Sequence, residues 1–176
     1  ATLKYVSPGL VAGVGGNYMS LKPRLVTENG FAATEKIGST AAMGFAKIAT
    51  DNVTLKVEGI YGNNLTDLLM LGGYAVTSSD ARTAEETYTN IKAMSGWADL
   101  SFGKKVLFGL FTGYTKNLGS DDEVLMFYSR GSNIANVMRV APRVIYNVGK
   151  TRFAAEIEYT TAAYGTADKK GVVEDT

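Results

Sequence analysis

Charged side chains alternate with apolar ones near the carboxyl end of the chain. Glu156 and Glu158 lie two residues apart, and Arg139 and Arg143 precede them across a short turn at Gly149-Lys150. Two carboxylates on one face of a strand could act as an acid/base pair. A neighbouring arginine, however, keeps a carboxylate ionised and unable to donate a proton near neutral pH. The spacing therefore favours a network of ion pairs over a catalytic pair.

Three more charged residues follow the same alternation: Lys56, Glu58 and Asp99. With the four above, they could form a constriction that selects solutes by charge, or they could hydrate and fill a closed interior; both interpretations stay open. The chain has no His and no Cys, which removes the commonest general base and the usual metal ligands. The sequence predicts no catalytic residues, no metal site, no cofactor and no enzymatic activity.

Composition narrows the class of protein further. The 176 residues carry a net charge of +1, so no strong field favours nucleic acid as a partner. No run of about 18 apolar residues exists, which excludes a transmembrane helix. We expect residues 1–176 to form a single domain.

Strands must position these charges, and four tyrosines show how. Tyr18, Tyr61, Tyr114 and Tyr159 each lie about ten residues beyond a short turn, and every second residue leading to them is mostly apolar. Ten residues of a tilted strand span roughly the 25 Å apolar band of an outer-membrane barrel. With Tyr146 and Phe153, these tyrosines would form the aromatic girdle that such barrels place at the membrane interfaces.

The fold predicted from this alternation is all-β, an antiparallel up-and-down transmembrane β-barrel with about eight strands in this segment. Short turns would lie on one side and long loops on the other, as in outer-membrane barrels. The long loops cover 23–37, 64–87 and 118–135, and residues 164–176 begin a fourth; we expect the apolar loop 63–73 to fold into the barrel. The predicted strands are 1–6, 10–22, 38–50, 53–63, 88–102, 106–117, 136–148 and 151–163.

The last hairpin gives the sharpest register. A two-residue turn at Gly149-Lys150 sets Tyr146 opposite Phe153 and Val140 opposite Tyr159 on one face, and Arg143 opposite Glu156 on the other. A one-residue slip would break both arrangements. For the 88–115 hairpin, a three-residue turn predicts Leu100 opposite Phe108. The outward face of 38–50 stays unassigned.

The chain resembles outer-membrane porins of Gram-negative bacteria, of the kind found in Bacteroidota. The resemblance rests on the alternating segments 53–61 and 153–159 and on the alternation of short turns and long loops. It implies a channel for passive diffusion of small polar solutes in the bacterial outer membrane. The implied partners are outer-membrane lipid and a homotrimer or other outer-membrane subunits. The seven charged residues named above would line the pore.

Two alternatives stay beside the porin. One is a non-conducting structural β-barrel subunit of an outer-membrane assembly, and the other is a soluble ligand-binding β-barrel with the apolar face inward. If the short turns are periplasmic, both ends of the chain lie on the outer side of the membrane. Whole outer-membrane barrels have both ends in the periplasm, so we expect a piece of a larger barrel; a complete eight-stranded barrel is the alternative.

Overall fold

The computed structural model describes residues 1–174 and is built almost entirely of antiparallel strands. One short 3₁₀ helix, Leu65–Leu68, interrupts them. The all-β prediction is confirmed, although the described part of the chain has eleven strands. They are β1 (Thr2–Ser7), β2 (Leu10–Leu21), β3 (Ile37–Ala49), β4 (Val53–Asn63), β5 (Gly72–Ser79), β6 (Glu86–Gly103), β7 (Val106–Gly119), β8 (Met126–Arg130), β9 (Ile134–Val148), β10 (Thr151–Glu156) and β11 (Tyr159–Tyr164).

The main sheet follows the order β1-β2-β3-β4-β6-β7-β9-β10, and β11 continues beside β9 after β10. Neighbouring strands pair antiparallel throughout. The sheet is not closed into a barrel: β1 lies at one edge, and β10 with β11 at the other. Strand alternation gives this sheet two faces with different chemistry. We call them the apolar face, which contains Leu55 and Leu100, and the charged face, which contains Lys56 and Asp99.

The register predicted for the last hairpin is confirmed. Phe153 pairs with Tyr146, Glu156 with Arg143, and Tyr159 with Val140. The single predicted strand 151–163 is, however, two strands. The break falls at residues 157–158, but the N–H of Ile157 still donates to the Pro142 carbonyl over 3.0 Å, so pairing with β9 continues on both sides of it.

The register predicted for the 88–115 hairpin is wrong by two residues. Leu100 pairs with Leu110, and Phe102 pairs with Phe108. Gly103 makes the difference: its φ is +112°, and a Cβ there would collide with the Val106 carbonyl, so the turn is centred one residue later. A shift of two positions leaves every residue on its predicted face. The unassigned strand is settled as well, because Ala46 and Ile48 of β3 pair with Ala12 and Leu10 on the apolar face.

Two strands lie within connections that the sequence predicts to be long loops. β5 pairs with the amino-terminal part of β6 and with β8, forming a small extension at one end of the main sheet. The apolar connection before β5 folds back onto the sheet; the prediction placed it inside a barrel, which this sheet does not form. Leu65, 1% exposed, and Leu71 form a buried cluster with Ala93 of β6, packed against Ile60 and Val137. These partners lie on the charged face, so the connection covers one end of that face.

Candidate functional site: the charged face of the sheet

The apolar face is a continuous surface across the main sheet. On the four central strands, opposite residues form rows such as Leu55, Leu100, Leu110 and Pro142. Large apolar side chains in these rows are exposed: Phe108 is 50% exposed and Leu110 is 44% exposed. Exposed apolar patches of this extent mark a surface that meets a partner or a membrane.

The six residues predicted for the aromatic girdle all lie on this face by strand pairing. Every one is exposed: Tyr18, Tyr61, Tyr114, Tyr146, Phe153 and Tyr159. Tyr146 and Phe153 lie near the Gly149-Lys150 turn, Tyr18, Tyr61 and Tyr114 lie farther from the short turns of their strands, and Tyr159 begins β11. Their role as an interfacial girdle stays a prediction.

The seven residues predicted to line a pore share the opposite face. Asp99 of β6 lies between Lys56 of β4 and Phe111 of β7 in the strand pairing. Glu58 pairs with Trp97. Arg139, Arg143 and Glu156 occupy charged-face positions of β9 and β10, and Glu158 lies in the break before β11. The structure thus brings all seven to one surface.

Arg143 is the centre of this surface. Its Nη1 and Nη2 lie 2.8 Å from the two carboxylate oxygens of Asp99, a bidentate pair between strands that β7 separates. Gly109 of β7 makes the reach possible, because a Cβ there would meet Arg143 Nε at 2.6 Å. The predicted pair with Glu156 is present but longer, at 3.9 Å. Fork geometry makes the Asp99 pair the stronger of the two.

A second ion pair lies beside the first. Arg139 Nη2 is 3.2 Å from Glu158 Oε1, and Arg139 Nε donates to the Thr160 hydroxyl over 3.1 Å. Both partners are about half exposed. An exposed ion pair contributes little to stability, about 0–1 kcal/mol. The pair places a guanidinium, which only donates hydrogen bonds, beside a carboxylate, which only accepts them, on an exposed part of the charged face.

Aromatic side chains lie among the charges. Trp97 and Phe111 stack at 6.0 Å between ring centroids, with 29° between ring planes. Trp97 Nε1 donates to Glu58 Oε1 over 3.3 Å. The sequence alternation placed both rings on this face, where the membrane interpretation expects polar residues. They make the centre of the charged face part apolar and part ionic.

Lys47 is a charged-face residue that the sequence analysis did not name. It pairs directly with Lys56, and like charges opposite each other destabilise a sheet. Its position follows from the β2–β3 register alone. Pairing Leu10 with Ile48 would have revealed it, but β3 shows no clear alternation around Met43 and Phe45.

The long connections at the other end of the strands are joined to one another. Arg24, between β2 and β3, lies 3.1 Å from Glu86 and donates to the Tyr128 hydroxyl over 2.8 Å. The N–H groups of Thr34 and Glu35 donate to Glu85 over 2.7 and 3.1 Å. These hydrogen bonds, that of Thr34 first, hold the pKa of Glu85 below its ordinary value. These contacts join the connection between β2 and β3 to β6, β8 and the connection before β6.

No family of known proteins, no curated protein and no solved structure matches the chain. Among residues 1–174, no helix is long and apolar enough to cross a membrane. The same residues include no group of three or more acidic side chains placed to hold a metal ion.

Proposed function

We propose that the chain forms all or part of a porin-like outer-membrane channel through which small polar solutes diffuse passively. The observation that supports this most strongly is the division of the sheet into two faces. One face is mostly apolar and carries exposed large side chains such as Phe108 and Leu110, and the other carries the seven charged residues predicted from the sequence. In a channel of this type the first face would meet lipid and the second would line water.

The charges on the second face favour an aqueous surface rather than a dry core. A buried ion costs several kcal/mol unless it is fully paired. Arg139 and Glu158 are about half exposed, and Lys47 pairs with a second lysine. Water in a lumen would hydrate these groups. Because both signs are present along the surface, the channel would select weakly between anions and cations.

A non-conducting structural barrel is the second candidate. The connection around Leu65 and Leu71 supports it, since these side chains pack on the charged face and cover one end of it. A loop in this position would narrow a wide barrel but would block a small one. The two candidates differ only in whether solutes pass.

Conductance in planar bilayers separates them. The channel interpretation predicts discrete openings, and a double reversal of Arg139 and Arg143 to Glu should move the reversal potential in a potassium chloride gradient toward that of potassium. The matched control reverses Lys104 and Lys105, which make the same charge change in a short turn. A folded, inserted protein that never conducts would instead support the structural barrel.

Solubility tests the remaining alternative, the soluble ligand-binding barrel. The channel proposal expects the folded chain to need detergent or lipid, because residues such as Phe108 and Leu110 are exposed. A monodisperse, folded protein in detergent-free buffer would contradict the membrane proposal and favour a soluble barrel.

A further inference from the structure

Three tyrosine rings pack together on one face of the extension formed by β5, β8 and the amino-terminal part of β6. Tyr74 of β5 lies directly opposite Tyr128 of β8, with 5.3 Å between ring centroids and 32° between ring planes. Tyr88 of β6 meets Tyr74 edge-on, at 5.6 Å and 85°. The chain has ten tyrosines, but no other two tyrosine rings pack against each other among residues 1–174.

Hydrogen bonds hold two of the three rings in place. The Tyr128 hydroxyl accepts from Arg24 over 2.8 Å, and the Tyr88 hydroxyl donates to Glu86 over 3.0 Å. Arg24 also lies 3.1 Å from Glu86, so the two hydrogen bonds belong to one network. Tyr74 lies between the two rings that this network holds. Groups that a fold keeps in contact react with each other faster than with a group that must diffuse to them.

Two phenol rings in contact can be joined by oxidation. A one-electron oxidant removes one electron from each phenol, and each hydroxyl releases its proton to water. The two phenoxyl radicals then form a carbon–carbon bond between ring positions next to their oxygens, and the hydrogen on each of these carbons moves to the phenol oxygen. The product is dityrosine, which has two hydrogen atoms fewer than the two separate tyrosines.

The geometry favours the pair of Tyr74 with Tyr128 over the pair of Tyr74 with Tyr88. In the edge-on contact at 85°, the edge of one ring meets the face of the other, which keeps the coupling positions apart. Rings inclined by 32° bring equivalent positions near each other. Tyr128 is also 36% exposed, so a soluble oxidant can reach it.

We propose that Tyr74 and Tyr128 are an oxidative cross-linking site, at which a one-electron oxidant joins β5 to β8 through dityrosine. The bond would connect two different long connections of the chain, the one between β4 and β6 and the one between β7 and β9. A covalent link between residues far apart in the sequence restricts the unfolded chain, as a disulfide does. The cross-linked extension should therefore unfold at a higher denaturant concentration than the unmodified one.

Brief illumination of the full chain in detergent with tris(bipyridyl)ruthenium(II) and persulfate tests the proposal. Light and persulfate convert the complex into a one-electron oxidant, and persulfate takes up the electrons as it becomes sulfate. Trypsin, which cleaves after lysine and arginine, then leaves the three tyrosines in separate peptides, residues 57–82, 83–92 and 117–130. We expect peptide 57–82 joined to peptide 117–130, with the loss of two hydrogen atoms, from chains that migrate as monomers on a denaturing gel.

Conservative variants identify the residues that react. Tyr128→Phe should reduce the yield of the joined peptides to background, because a phenylalanine ring forms no phenoxyl radical. The matched control Tyr88→Phe removes a hydroxyl from the same cluster and should leave the yield unchanged. Protein unfolded in guanidinium before illumination should give no preference for this pair, since the contact is then lost.

Three results would overturn the proposal. They are the absence of joined peptides, the joining of 57–82 to 83–92 instead, and the same yield from folded and unfolded protein. The reaction does not depend on whether solutes pass the sheet. Failure of the cross-link would therefore leave the proposed channel standing, and a silent channel would leave the cross-linking site standing.

Discussion

Replacing Leu110 with arginine is expected to destabilise the protein in a bilayer by about 2–4 kcal/mol, the cost of a cation near the midplane of a barrel's lipid face. Leu110 is the middle one of the five apolar-face positions between Val106 and Tyr114 of β7. The matched variant is Val106→Arg, four positions nearer the short turn. At about 3.4 Å per residue and a tilt of about 40°, the two sites differ in depth by about 10 Å.

The structure makes this comparison sharp, because the two side chains are similarly exposed: Val106 is 40% exposed and Leu110 is 44% exposed. If the face meets water, both substitutions are ordinary surface changes within about 0.5 kcal/mol of wild type. If the face meets lipid, Val106→Arg should cost about 0–1 kcal/mol and Leu110→Arg clearly more.

Guanidinium unfolding of protein folded into phospholipid vesicles, followed by the emission of Trp97, measures both free energies of unfolding. Equal and small effects of the two variants would refute the assignment of the apolar face to lipid. A larger cost at Val106 than at Leu110 would contradict the proposed depth of the strands in the membrane.

Three further outcomes follow from the charged face and the long connections. Asp99→Asn should lower the free energy of unfolding by about 1–3 kcal/mol, since the bidentate partner of a mostly buried Arg143 is lost; the same unfolding titration measures it. Gly109→Ala should displace the Arg143 guanidinium and lower the free energy of unfolding by a similar amount. The control Gly44→Ala should lower it much less, because its new Cβ would have its nearest neighbour at 4.0 Å. Equal effects of the two variants would contradict the packing of Arg143 over β7. Because the folded pKa of Glu85 is lowered, its contribution to stability is present above the ordinary glutamate value of about 4.3 and is lost as the pH falls through the lower folded value. The protection of the Thr34 and Glu35 amides from hydrogen exchange, taken relative to the intrinsic rate at each pH, should fall only in that acid range, and constant protection would argue against the contact.

The last hairpin is the part of the fold whose register the sequence predicts best. A two-residue turn and an opposite-charge pair act on the same register there, so Arg143 and Glu156 were correctly placed opposite each other. At Gly103, by contrast, the sequence does not predict the register correctly. Its positive φ moves the turn centre by one residue, and the letters Gly-Lys-Lys do not reveal which residue adopts that conformation.

The strongest ion pair of the charged face could not be predicted by pairing hairpins. Asp99 and Arg143 lie on strands separated by β7, and the pairing of β7 with β9 spans a connection that contains β8. That connection opens with the acidic run Asp121-Asp122-Glu123, which is typical of a loop, and its apolar stretch is too short to show a clear strand alternation, so β8 was missed. The contact between Asp99 and Arg143 depends on Gly109, because only a residue without a side chain leaves room for the Arg143 guanidinium above β7.

Accessibility of a spin label tests the central claim most directly. The chain has no cysteine, so Leu55→Cys and Lys56→Cys each give a single labelling site, on opposite faces of the same strand. In vesicles, oxygen dissolved in lipid should relax the label at position 55 more strongly than a water-soluble nickel chelate does, and the order should reverse at position 56. Stronger relaxation by the nickel chelate at position 55 would contradict the account.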